Sequence, residues 1–509
     1  KEINKLLSKK DERTLKAIDE NILEDLLFIR DLLSKDLKKL RTDLAKEQID
    51  EAVQLLIDRL IFMRSVEDRK LEGINFLLGL VKDFREGRIK NQLWYVLKEE
   101  FKRFDEVYNS KLFAKSILED EKNIFFDNDS LQKSIKALYN GAKDNQERYM
   151  FDEIPGDLFG SIYEQYLGTI LQGTEKRVKL ESESGKRKKM GIYYTPSYIV
   201  DYIVKNTVGE YIKDKKIDEI LEVNILDPAC GSGSFLTRAF QEVSNVIEEK
   251  LKKGEKGKAI TFQNYKDRLN LSQKAAILSN CIYGVDLDEK AVELAQLNLL
   301  LKLLEDETPD TRKRLLPNMK DNIKCGNSLI DDPKVAGDKA FNWHAQFSDV
   351  FRNGGFDIVI GNPPYVSNIG LLAKDKRFYS EKYMGAIEQY DLYILFFEKG
   401  LSILKKNGVL GYITPNKYLI AKYGKNIRKL FLSKKILKIV DVSNLEIFKD
   451  ASTYPIITFV NNSENQDNKF EIVANIKVPS DITKNNLNII LSQNEISKNK
   501  DFAFEIHTN

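Results

Sequence analysis

The stretch Asn224-Ile225-Leu226-Asp227-Pro228-Ala229-Cys230-Gly231-Ser232-Gly233-Ser234-Phe235-Leu236 decides the fold class. Asn224 to Leu226 reads as a strand end. The two glycines let the backbone turn closely around a ligand and open a helix whose N-terminus faces it. Such a strand–glycine turn–helix unit begins an open α/β sheet, whose ligands bind at the carboxyl ends of the strands. A dinucleotide fingerprint fits poorly, because Leu236 stands where the third glycine of G-x-G-x-x-G belongs. The next strand, Cys281-Ile282-Tyr283-Gly284-Val285, ends in Asp286 with Asp288 close behind. A carboxylate at the tip of a second strand suits ribose hydroxyls.

Further along, the apolar run Phe356-Asp357-Ile358-Val359-Ile360-Gly361 leads directly into Asn362-Pro363-Pro364-Tyr365. Two consecutive prolines fix φ and delete two backbone N–H donors, so the turn presents acceptors: the Asn362 side-chain oxygen and the Pro363 carbonyl. Held by both, an exocyclic NH2 group has its lone pair drawn out of conjugation and aimed at an electrophile, while the Tyr365 ring offers a stacking surface. This is chemistry by positioning, and it points to methylation of a planar amine.

Short apolar strands alternate with helices from Gly191 onward, at Asn224–Leu226, Ile282–Val285, Ile358–Ile360, Gly408–Ile413, Ile436–Val442 and Ile456–Val460. That alternation predicts a doubly wound α/β sheet with both motifs at its ligand edge. Residues 1 to about 150 read differently, as charged helices with almost no proline. Leu55, Leu56, Leu60, Phe62 and Val66 stand at helical spacing within Gln48 to Arg69.

In order, Tyr194-Thr195-Pro196, Asp227 to Phe235, Asp286 and Asn362 to Tyr365 resemble the gamma-class DNA adenine-N6 methyltransferases, especially the methylase part of single-chain type IIG restriction–modification enzymes. The likeness covers roughly residues 150 to 460. It implies a mostly parallel, seven-stranded Rossmann-like sheet preceded by an α-helical domain. It also implies S-adenosylmethionine as cofactor, held by Thr195, Asp227, Ala229, Gly231, Gly233, Asp286 and Asn327. Asn362, Pro363 and Tyr365 would hold a base flipped out of double-stranded DNA, with Phe448 as its second wall. Several positions have a plainer alternative. Thr195 is also an N-cap, with Pro196 at N1 of the following helix. Asn327 in Gly326-Asn327-Ser328-Leu329 is also a turn residue, and Phe448 in Leu445-Glu446-Ile447-Phe448 also a core phenylalanine. About fifty residues separate Gly233 from Asp286, including the charged stretch Glu248 to Arg268, which leaves Asp288 as a rival for the ribose.

The expected organisation is a helical connector over residues 1–160, a linker with a basic run over 161–190, the methyltransferase domain over 191–462, and from 463 to 509 the start of a target-recognition region. The basic run Lys186-Arg187-Lys188-Lys189 is either a solvated loop or a phosphate contact. Relatives carry a Mg2+ nuclease ahead of the connector. The chain begins at Lys1 and holds no clear Asp…Glu-x-Lys set, so an excerpt of a longer protein, or a chain without its nuclease, is expected.

Composition narrows the classes. With 81 basic residues against 78 acidic, the net charge of +3 does not by itself indicate nucleic acid. Three cysteines without paired spacing argue against a disulfide framework, and two histidines, His344 and His507, give no basis for zinc or Ser-His chemistry. With no apolar run approaching 18 residues, a cytoplasmic protein without a membrane partner is expected. The rival functions are methylation of cytosine N4 or of a protein glutamine, and a non-catalytic cofactor-binding scaffold in a restriction complex.

Overall fold

A computed structural model describes residues 2–108, 112–119, 124–142, 149–151, 169–174, 177–182, 195–258, 260, 268–305, 317–445, 447, 454–465, 467–483 and 487–504. The chain forms two compact units. One holds residues 1–184 and 297–318, the other residues 185–296 and 319–509.

Among the described residues, the first unit is built on five α-helices: α1 (Glu2–Leu40), α2 (Lys46–Asp68), α3 (Phe76–Arg85), α4 (Leu93–Tyr108) and α5 (Asn128–Asn140). The Asp127 carboxylate starts α5 by accepting from the Asp129 N–H at 2.9 Å, and Gly141 ends it at φ +76°. The apolar spacing within Gln48 to Arg69 falls in α2, and the helix is buried on every side from Leu56 to Asp68. Its charges survive because they pair internally: Arg64 with Asp68 at 2.7 Å and Glu67 at 3.4 Å, and Arg59 with Glu119 at 2.6 Å. Within the expected linker, β1 (Thr169–Thr174) and β2 (Arg177–Ser182) pair antiparallel. The basic run at 186–189 lies outside the described residues.

The second unit is organised by a nine-stranded sheet. Its strands are β3 (Ile225–Asp227), β4 (Ile282–Asp286), β5 (Ile323–Cys325), β6 (Phe356–Gly361), β7 (Leu404–Pro415), β8 (Lys434–Asp441), β9 (Pro455–Glu464), β10 (Lys469–Ala474) and β11 (Leu487–Ser492). They lie in the order β11-β10-β8-β9-β7-β6-β3-β4-β5. The run from β8 to β5 is the seven-stranded arrangement that the resemblance implies, parallel except where β9 inserts antiparallel between β7 and β8. β10 joins β8 in parallel and β11 closes the edge antiparallel. The segment expected to open a separate target-recognition region at 463 thus extends the sheet, because its alternating apolar residues Phe470, Ile472 and Ala474 bury on the core.

β3 is the topological switch point: β4 and β5 follow on one side, β6 and β7 on the other. β6 is buried along its whole length, as suits a strand covered on both faces. The fifty residues between Gly233 and Asp286 are largely the crossover helices α7 (Ser234–Lys252) and α8 (Leu271–Cys281); in the latter, Asn270 and Gln273 cap each other at 3.0 Å. Among the described residues no helix is long and apolar enough to cross a membrane.

Candidate active site

The glycine turn after β3 is shaped by its own backbone. Gly231 and Gly233 have φ of +51° and +84°, and a Cβ at Gly233 would come within 3.1 Å of Ala295. At Gly231 a Cβ would meet nothing within 4 Å, so the loop borders open space there. The turn is pinned to β4: the Cys230 N–H donates to the Val285 carbonyl at 3.0 Å, and the Gly231 N–H to the Asp286 carboxylate at 2.9 Å. The other Asp286 oxygen accepts from the Asp288 N–H at 2.9 Å. The exposed Asp288 is occupied differently, accepting from the Lys290 N–H at 3.1 Å at the start of α9 (Glu289–Leu303).

Asp227 ends β3 and is 1% exposed, so its carboxylate lies beneath the loop rather than displayed on it. It accepts from the Ala229 N–H at 3.0 Å. Burial raises its pKa to about 8, against that hydrogen bond, and the nearby Asp286 charge adds to the rise. Burial likewise carries Asp286 to about 6, opposed by the N–H groups of Asp288 and Gly231. Cys230 is buried with its thiol pushed well up, and its sulfur lies against Gly284.

β6 runs beside β3 with Ile225 opposite Ile358 and Leu226 opposite Val359, which brings the two motifs together at the carboxyl edge. Gly361 makes the junction. Its φ is +149°, and a Cβ there would fall 2.5 Å from the Asp227 carboxylate. The next residue, Asn362, donates from Nδ2 to the Thr195 hydroxyl at 3.0 Å, and its Oδ1 is buried. Pro363 is buried. The Tyr365 hydroxyl donates to the Ile413 carbonyl on β7 at 3.2 Å, and its half-buried ring meets Tyr393 edge-on at 6.1 Å.

The structure therefore gathers Thr195, Asp227, Ala229, Gly231, Gly233, Asp286, Asn362, Pro363 and Tyr365 at one edge of the sheet. Asn327 follows β5 as a turn residue, its Oδ1 accepting from the Leu329 N–H at 3.0 Å. The adjacent Ser328 ties this turn to the glycine loop, donating to the Pro228 carbonyl at 2.6 Å. Phe448 lies outside the described residues. Helix α6 (Ser197–Val204) has Pro196 as its N-cap residue, one position later than the sequence predicts. The Thr195 hydroxyl is not a cap, because the Pro196 carbonyl takes the first N–H groups, from Ile199 and Val200. Gly361 has a part in the site that neither motif marks; its sequence signal is a glycine between a buried strand and the double proline.

Residues 280–448 match the family described as Eco57I restriction-modification methylase, and residues 221–309 an RMKL-like methyltransferase domain. The type II restriction enzyme and methyltransferase RM.Eco57I of Escherichia coli is 33% identical over 469 residues, covering 89% of this chain and 44% of that protein. The chain carries an Eco57I-type restriction–modification methylase domain. Two solved structures share the fold. The type IIL restriction-modification enzyme MmeI in complex with DNA aligns at a TM-score of 0.59 and 16% identity, over 92% of this chain and 60% of that one. A type I restriction-modification methyltransferase subunit from Streptococcus thermophilus aligns at 0.53 and 14%, over 96% and 98%. This methylase chain spans about half the length of the curated relatives it matches.

Proposed function

We propose that the protein transfers a methyl group from S-adenosylmethionine to N6 of an adenine flipped out of double-stranded DNA, as the modification part of a restriction–modification enzyme. The observation that carries this reading is the contact of Gly361 with Asp227, which sets the Asn-Pro-Pro-Tyr turn directly beside the glycine loop. The relatives named as restriction–modification methyltransferases, and the DNA complex of MmeI, support the substrate class.

The open space at Gly231, the buried Asp227 beneath the loop and the carboxylate ending β4 fit S-adenosylmethionine, which when bound supplies an electrophilic methyl group. Gly231 and Gly233 keep the loop low enough for close approach. Asp286 faces the ribose in preference to Asp288, whose carboxylate begins a helix. Asp227 anchors the loop, and Ala229 and Asn327 border the cofactor. At the amine, Asn362 Oδ1 and the Pro363 carbonyl accept the two hydrogens while Tyr365 stacks on the base. The lone pair is thereby aimed in line, and no general base has to be ionised beforehand. The proton leaves to solvent after transfer.

The test is to offer the full-length protein methyl-labelled S-adenosylmethionine with DNA, RNA or release-factor protein and identify the methylated atom. Label at adenine N6 is expected; label at cytosine N4 or a glutamine would replace the substrate assignment. Asn362→Ala should then lose about 10²–10³ in single-turnover rate, the scale of one preorganised polar group, with cofactor affinity nearly unchanged. A variant keeping more than about a tenth of the rate would reduce the motif to a structural turn.

A further inference from the structure

Beside the Asn362 turn the charge of the chain is one-sided. Residues 399–440 contain eleven basic residues and no acidic one, where the average of 78 acidic residues in 509 would place about six. Several of these cations are already engaged. Lys405 pairs with Asp357 at 2.8 Å, Lys425 with Asp501 at 2.7 Å and Lys438 with Glu471 at 3.0 Å. Lys417 and Lys422 differ. Both are exposed, and among the described residues neither forms an ion pair. Lys417 acts on the half-buried Asp391 only at longer range: burial raises the Asp391 pKa and the Lys417 charge lowers it.

Both lysines stand on the loop 416–424, which is fastened to the Asn362 turn at two points. β7 carries its start. Gly361 lies opposite Tyr412, so Ile413 to Pro415 run on beside the turn, and the Tyr365 hydroxyl donates to the Ile413 carbonyl at 3.2 Å. Near the end of the loop, the Tyr423 hydroxyl shares a 2.9 Å hydrogen bond with that of Tyr393, whose ring meets Tyr365 edge-on at 6.1 Å. The loop is also anchored from within. Tyr418 and Leu419 are buried, and the buried Arg428 guanidinium donates to the carbonyls of Tyr418 at 2.6 Å and Ala421 at 2.7 Å. Lys417 and Lys422 therefore project from a fixed backbone.

We propose that the loop 416–424 grips the DNA backbone beside the flipped nucleotide, Lys417 and Lys422 each neutralising one phosphate. The proposal rests on the reading of Asn362 to Tyr365 as the turn that holds the target base, and it names the surface that holds the strand from which that base comes. A merely solvated face needs no exclusion of acids, because mixed charges keep a surface soluble; a single sign attracts a polyanion. A base leaves the stack by rotating about its backbone, so cations fixed beside the base-holding turn meet phosphates there. Each phosphate neutralised releases counterions, and the salt dependence of binding counts such contacts.

The experiment uses the full-length protein and a duplex carrying the adenine it methylates. Wild type is compared with the double variants Lys417→Gln with Lys422→Gln and Lys417→Arg with Lys422→Arg. Lys406→Gln is the control, an exposed lysine of the same acid-free stretch at the other end of β7. Affinity is measured by fluorescence anisotropy between about 50 and 200 mM salt. The slope of log affinity against log salt should be shallower by about two in the glutamine double variant, about one per lysine, and unchanged in the arginine double variant and in Lys406→Gln. Methylphosphonates in place of the phosphates flanking that adenine should weaken wild type more than the glutamine double variant, and the same replacement a full helical turn away should affect both equally. If the glutamine double variant melts below wild type, the two single variants carry the test, each with a slope shallower by about one. A full slope in the glutamine variants, an equal fall in Lys406→Gln, or equal losses on the flanking methylphosphonates would each overturn the proposal. Methylation of DNA by wild type alongside such a result would leave the function standing; methylation of RNA or protein but not DNA would overturn the function, and the proposal with it.

Discussion

At the scale of single residues, the charge beneath the glycine loop makes the site sensitive to pH. Asp227 is held protonated by burial, with its pKa near 8, well above the ordinary value of 3.8. The folded state therefore binds a proton that the unfolded chain has released. The stability this contributes is complete below about pH 4 and is lost as pH rises through 8. In the cofactor-free protein, stability should fall between pH 5 and pH 9. Asp227→Asn cannot ionise, yet it can still accept from the Ala229 N–H, so it should remove that share of the decline. At about 1.4 kcal/mol per pKa unit, the variant should gain at least ~2 kcal/mol over wild type at pH 9 relative to pH 5. Denaturant unfolding at the two pH values measures this; parallel curves for the two proteins would mean that Asp227 does not titrate on folding.

At the scale of elements, the site depends on β3 and β6 lying side by side in one register. Any side chain at Gly361 would strike the Asp227 carboxylate, 2.5 Å from the position of a Cβ, and would have to adopt φ +149°. Gly361→Ala should destabilise the protein by about 1–3 kcal/mol, the usual cost of overpacking, and displace the Asn362 turn. Removing the carboxylate as well relieves the collision but not the backbone strain, so the double variant with Asp227→Ala should lose less than the sum of the single losses. Strict additivity in thermal unfolding would argue that the two strands do not meet as described. The strands themselves were readable where the chain supplies long apolar runs, as in Phe356–Gly361. β5 was not, since Ile323-Lys324-Cys325 is too short to show a period, and it becomes a strand only by pairing with β4.

At the scale of the whole molecule, the division into units does not follow the order of the chain. Residues 297–318 belong with 1–184, so α9 begins in the sheet unit and ends in the helical one. Leu299, Leu303 and Leu304 in that returning segment are fully buried. Deleting residues 1–184 should leave them without partners, each worth ~1.5–3 kcal/mol of burial. The remaining chain should then bind a hydrophobic dye, associate, and melt below the 509-residue chain. A monomeric, dye-negative product of equal melting temperature would show that residues 185–509 stand alone.

What the sequence by itself determined was the class of fold and the edge at which its chemistry gathers. A glycine turn between strand and helix and a double proline after a buried strand are local, and their physical meaning is the same in any surroundings. Only the tertiary structure decided how these pieces divide the work. It buried α2 on every side with its charges paired, and it carried Phe470 and Ile472 into the sheet from a segment that reads as polar. It placed Asp227 under Gly361 and turned the Thr195 hydroxyl away from its own helix toward Asn362. The last two join residues more than a hundred positions apart, and a contact of that range comes from the packing of the sheet, which no local pattern encodes.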